Sequence, residues 1–177
     1  MPSPSKNKGN SFERQTADFL TSLYGEKFLR APGSGAYIGG SNTKRKEFLH
    51  EGQIRTFKGD IIPGQSFPLM NAECKSYKEF PFHQLFSGSV KLLDSWIEQC
   101  LDPADPDDFN IIFMKFNRKG TYIAAEMKKI DTAFNYDNHF IYQGPNNTSW
   151  LIMEHTRFWQ LNAERVKKIC KENEKNL

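Results

Sequence analysis

Apolar residues change their spacing along the chain, and the changes predict a helix, strands, a helix, strands and a final helix. From Ser11 to about Tyr24, Phe12, Phe19, Leu20 and Leu23 recur at helical spacing, with Thr16 completing the stripe and Gly25 ending it. Residues 27–31 read as a short strand, and Pro32-Gly33-Ser34-Gly35 as a turn or loop. Ile61 and Ile62 follow Gly59-Asp60, and a second apolar stretch leads into Glu73-Cys74-Lys75. From Pro81, a helix of about twenty residues is expected, with Phe82, Leu85, Phe86, Leu93, Trp96, Ile97 and Cys100 as its stripe. Residues 110–116 and 121–126 flank Asn117-Arg118-Lys119-Gly120 as a hairpin, and 140–143 and 150–154 flank Gly144-Pro145-Asn146-Asn147 as another. Thr156 can cap a last helix through about Lys171, whose basic end complements the helix dipole.

This order predicts a mixed α/β fold, a central mixed sheet flanked by helices. The length suits a single domain over 1–177, with residues 1–10 as a flexible arm, 36–58 as an inserted loop or hairpin and 157–177 as the C-terminal helix. The first residues have no apolar core of a signal peptide, and no apolar run reaches bilayer length. A cytoplasmic, intracellular protein is expected, encoded by a cell or a virus. Cys74, Cys100 and Cys170 are far apart and outside any zinc-binding spacing, so they read as reduced thiols.

Charge changes the picture upstream. Residues 1–58 carry ten Lys and Arg against five Asp and Glu, whereas residues 59–177 carry fourteen against sixteen. Lys44, Arg45, Lys46, Arg55 and Lys58 are interleaved with Tyr37, Phe48 and Phe57. This mixture suits contacts to phosphates and exposed bases, and equally an ordinary hairpin with solvated charges.

Several chemistries fail on inspection. Gly33-Ser34-Gly35 does not continue as a dinucleotide fingerprint, and no phosphate-loop Gly-Lys-Ser/Thr follows. Tyr37-Ile38-Gly39 lacks the first half of a GIY-YIG signature. His50, His83, His139 and His155 form no metal-binding spacing, and no Gly-x-Ser-x-Gly elbow is present.

One constellation survives. Asp60 precedes an apolar pair, and thirteen residues later Glu73 and Lys75 share one face of a strand. Two carboxylates from neighbouring strands with an ammonium beside them can hold a divalent cation and an attacking water. That equipment suits phosphodiester hydrolysis. Glu13, on the edge of the first helix's buried side with Ala17, Leu20 and Tyr24, is open between a first-turn glutamate favoured by the dipole and a functional group.

Asp60 with Glu73-Cys74-Lys75 resembles the core motif of the PD-(D/E)XK nuclease superfamily, Gly59 standing where the motif's name has Pro. Upstream, Lys8-Gly9 through Glu13-Arg14 resembles the opening of archaeal-type Holliday junction resolvases. Arg30-Ala31-Pro32-Gly33-Ser34-Gly35 looks like their serine loop, and Glu73-Cys74-Lys75-Ser76 like their catalytic strand end. The resemblance covers residues 8–76, fades after about residue 100, and departs at 36–58, which is longer than the family's usual gap.

The resemblance implies a restriction-endonuclease-like nuclease fold, a homodimer, and Mg²⁺-dependent cleavage of branched DNA, with Mn²⁺ able to substitute. By position it makes Glu13, Asp60, Glu73, Lys75 and Ser34 the catalytic set, with Asp60, Glu73 and Glu13 toward the metal. Lys8, Arg14 and Arg30 then read as phosphate-backbone clamps, joined by Lys44, Arg45, Lys46, Arg55 and Lys58. The alternatives are a restriction-type or DNA-repair endonuclease acting on duplex DNA and, from another class, a catalytically inactive DNA-binding module.

Overall fold

The computed structural model describes residues 4–32 and 58–171. In chain order these form α1 (Pro4–Tyr24), β1 (Leu29–Arg30), β2 (Ile61–Ile62), β3 (Met70–Tyr77), α2 (Lys91–Leu101), β4 (Phe109–Phe116), β5 (Gly120–Glu126), β6 (Phe140–Gln143), β7 (Ser149–Glu154) and α3 (His155–Cys170). Strands β1 and β2 pair antiparallel as a small ribbon. The other five make one sheet in the order β3-β4-β5-β7-β6, parallel at β3–β4 and antiparallel elsewhere.

Alternation along the strands divides the core in two. Ala72, Ile111, Phe113, Ile123 and Leu151 face one way and pack with Phe12 and Leu20 of α1 and Phe158, Trp159 and Val166 of α3. Ile112, Met114, Phe116, Ala124 and Trp150 face the other way, against Leu93, Trp96, Ile97 and Cys100 of α2. Fully burying one such side chain contributes roughly 1.5–3 kcal/mol, so both layers hold the sheet. This is the expected mixed sheet flanked by helices, consistent with a restriction-endonuclease-like fold. Among the described residues, no helix is long and apolar enough to cross a membrane, and the three cysteines are free.

Several local expectations shift. Helix α1 starts at Pro4, so residues 4–10 continue the helix instead of forming an arm; it ends where the Gly25 N–H reaches the Thr21 carbonyl. The single helix expected from Pro81 is two pieces, a 3-10 turn over Phe82–Phe86 and then α2. Gly88 between them has φ +125°, a backbone state outside any helix. Helix α3 is capped two residues earlier than expected: the Glu154 carboxylate, in place of Thr156, accepts from the Arg157 N–H at 2.8 Å.

Candidate active site

The chain first fixes Asp60 through its backbone. Its N–H donates to the Ala72 carbonyl of β3 at 2.9 Å, and its carbonyl accepts from the Ala31 N–H at 2.8 Å. A side chain at position 59 would fall on the Ala72 carbonyl. Glycine there lets the backbone before β2 lie against β3, which is a physical reason for the departure from Pro. The Asp60 carboxylate is fixed as well: Oδ2 accepts from the Cys74 N–H at 2.8 Å.

On β3, Asn71, Glu73, Lys75 and Tyr77 point toward α2, since Lys75 bonds Gln99 and Tyr77 packs on Trp96. Glu73 is fully buried. Its Oε2 accepts from Lys75 Nζ at 3.0 Å, while Oε1 has no hydrogen-bond partner among the described residues. Burial, and then the charge of Asp60, push the Glu73 carboxyl up to about 8, with Lys75 pulling the other way. Lys75 is itself buried, its ammonium held between Glu73 and the Gln99 Oε1 of α2 at 2.7 Å.

Glu13 comes from α1. Burial and then the Asp60 charge raise its carboxyl, and Arg30 opposes both. Arg30 donates Nε to Glu13 Oε2 and Nη2 to Asn10 Oδ1 at 2.9 Å. Glu13 is thus close enough to feel Asp60 but is engaged by Arg30, and the expected three-carboxylate ligand set is not assembled. Among the described residues, no three His, Cys, Asp or Glu side chains group closely enough to enclose an ion.

The residues nonetheless fit a divalent cation. An unpartnered, buried carboxylate oxygen is costly, and the charge of Asp60 adds to the need of Glu73 for a counter-charge. Hard oxygen donors in this number suit an ion that keeps its own waters and takes one or two carboxylates plus substrate. Asp60 and Glu73 would hold it, and it would supply Lewis-acid polarisation of a phosphodiester. Lys75, with its position fixed by Glu73 and Gln99, can offset the charge that grows on a phosphorane oxygen. Asp60, Glu73 and Lys75 are thus brought together, with Glu13 near enough to feel Asp60 and Lys75 but held by Arg30.

The expected DNA contacts fare unevenly. Lys58 is buried, with Nζ bonded to Asp108 Oδ1 and Oδ2 at 2.9 and 2.6 Å and ion-paired with Asp105. Its charge is compensated inside the fold and is not offered to a phosphate, a correction to its place among the clamps. Arg30 holds Glu13, while Arg14 is exposed on α1. Ser34, Lys44, Arg45, Lys46 and Arg55, and the side chain of Lys8, lie outside the described residues.

A family model described as "phage putative PDDEXK endonuclease" matches residues 4–168. The chain belongs to that family. No curated protein and no solved structure matches it. Gly59-Asp60 and Glu73-Cys74-Lys75 lie within the matched residues. Gln99 is the site residue that the motif did not reveal. Its signal was positional: it lies three residues after Trp96 and just before Cys100, both on the sheet-facing stripe of α2.

Proposed function

We propose that this PDDEXK-family protein is a Mg²⁺-dependent, structure-selective endodeoxyribonuclease that hydrolyses phosphodiesters at four-way or other branched DNA junctions. The observation that carries the hydrolytic reading is the buried Asp60–Glu73 pair, with one Glu73 oxygen unpartnered and Lys75 fixed beside it. In this reading Lys75 positions the nucleophile and offsets charge on the phosphate, and Glu13, steered by Arg30, orients an attacking water. Ser34 would hydrogen-bond a phosphate oxygen. Mn²⁺ would replace Mg²⁺.

The branched substrate is supported by the resolvase-like blocks at residues 8–14, 30–35 and 73–76. A four-way junction is approximately two-fold symmetric, so a homodimer would place one site on each of two strands. The family's phage description supports a virus-encoded enzyme at work inside a host cell. A second reading, an endonuclease for duplex DNA, is favoured by the long basic segment 36–58, which could read bases in a groove.

Cleavage of a synthetic four-way junction and of linear duplexes of the same sequences separates the two readings. Faster cutting of the junction is expected; efficient cutting of the duplex alone would overturn the junction reading.

A further inference from the structure

On the α1 side of the sheet lies a cleft of about 180 Å³ lined by Ser11, Phe12 and Gln15 of α1, Ser76 of β3, Lys115 of β4 and Asn117 just beyond it. We propose that this cleft binds a backbone phosphate of the DNA; the assignment rests on the nuclease reading above.

The chemistry of the lining carries the proposal. Lys115 Nζ donates to Gln15 Oε1 at 2.8 Å and lies 5.6 Å from the centroid of the Phe12 ring. Both partners are neutral, so among the described residues no carboxylate compensates this ammonium. Gln15 Nε2 donates to Ser11 Oγ at 3.3 Å, which leaves the Ser11 hydroxyl hydrogen free to donate in turn. Ser76 adds a second hydroxyl and Asn117 an amide. No acidic side chain lines the cleft. One unpaired cation among neutral hydrogen-bond donors is a set that selects an anion.

The elements that build the cleft favour a phosphate of the substrate. Ser76 directly follows Lys75 and pairs with Lys115 across β3–β4. Three residues of β3, about 10 Å at the usual strand rise, separate Ser76 from Glu73. Ser11 and Gln15 flank Glu13 along α1. The same elements therefore build the cleft and the site but on different faces, since Ser76 turns toward α1 while Glu73 and Lys75 turn toward α2. A phosphate held here belongs to a stretch of the strand away from the scissile bond. Exposed Arg118 and Lys119 at the tip of the β4–β5 hairpin extend the positive charge outward. Such contacts fix the register of a strand without reading its sequence.

The alternative is structural: Lys115 could serve only to tie β4 to α1 through Gln15. Two substitutions separate the roles. Lys115→Gln removes the charge. Gln15→Glu keeps the link to α1 and even strengthens it, while giving Lys115 the carboxylate that would exclude a phosphate. Each is made in an Asp60→Asn background, expected to cut far more slowly, and binding to a duplex and to a four-way junction is followed in chelator by anisotropy from about 50 to 200 mM salt.

Both variants are expected to bind several-fold more weakly at the lower salt, with the slope of log K against log salt reduced by about one phosphate contact. Lys115→Arg should restore both. If either folded variant keeps the parent's affinity and slope while the wild type still cuts DNA, the cleft assignment fails and the nuclease reading stands. If the Asp60→Asn parent binds no DNA and the wild type cuts none, both fail.

Discussion

Asp60 and Cys74 are joined by a 2.8 Å hydrogen bond from the Cys74 backbone N–H to the Asp60 carboxylate. That bond ties the acidic residue before β2 to the strand that carries Glu73 and Lys75. It sets the Asp60 carboxylate beside Glu73 by anchoring that side chain to the main chain of β3. The arrangement depends on the close approach at Gly59.

Gly59→Ala should therefore act on chemistry and stability together. The added methyl meets the Ala72 carbonyl, and relieving it must push β2 from β3. A loss of about 1–3 kcal/mol is expected from overpacking of this kind, with cleavage falling by a factor on the order of 10² as Asp60 moves. Denaturant unfolding and initial cleavage rates read the two effects. A variant with native activity would show that the Asp60 position does not depend on this approach.

Glu73 is predicted to cost the metal-free protein stability. Its carboxyl is raised from 4.5 to about 8 in the fold, so between those values the folded state holds a proton that the unfolded chain has released. Stability from this group is greatest below about pH 4.5, falls as pH rises toward 8, and then levels. Glu73→Gln removes the dependence. In chelator, it should melt a few degrees above wild type at pH 8, about 1–2 kcal/mol for a chain of this size, and the gap should close toward pH 5. A lower melting temperature for the variant at pH 8 would contradict this account of the buried carboxylate.

Gln99 is exposed on its outer side yet accepts from Lys75 at 2.7 Å. Gln99→Ala should leave the melting temperature within about a degree of wild type and lower cleavage by about tenfold, through kcat more than KM. Lys75→Ala should lose far more. Equal rates for Gln99→Ala and wild type would show that Glu73 alone positions the lysine.

Lys58 makes a prediction of the opposite kind. Asp108 is 1% exposed, and Lys58→Met leaves it without its strongest partner. Breaking a buried pair in this way costs about 3–5 kcal/mol, while the DNA affinity of the folded fraction should hold. If the variant is stable but binds DNA more weakly, Lys58 belongs with the phosphate contacts after all.

Lys58 also marks where sequence reading stops. The strands, the two hairpins and the Asp60–Glu73–Lys75 motif are legible because alternation and spacing are local properties. Whether a lysine faces solvent or a buried aspartate fifty residues later is not local, and charge counting places Lys58 with the basic residues around it. The same holds for Gln99, which reaches Lys75 only because α2 folds back across β3. The break at Gly88 was hidden for another reason: the apolar positions on both sides of it fit one stripe, and only the positive φ separates them. Glu13 shows a middle case, since its place on the helix was readable but its engagement by Arg30 was not.

The most direct test of the account is cleavage of a labelled four-way junction by wild type and Asp60→Asn, with Mg²⁺ and with chelator. Asn can keep the hydrogen bond from Cys74 but removes the charge, so the fold is retained and the chemistry is not. Wild type is predicted to cut only with the metal, and Asp60→Asn to bind the junction but cut more slowly by a factor on the order of 10³. Cleavage by Asp60→Asn at the wild-type rate, or by wild type in chelator, would contradict it.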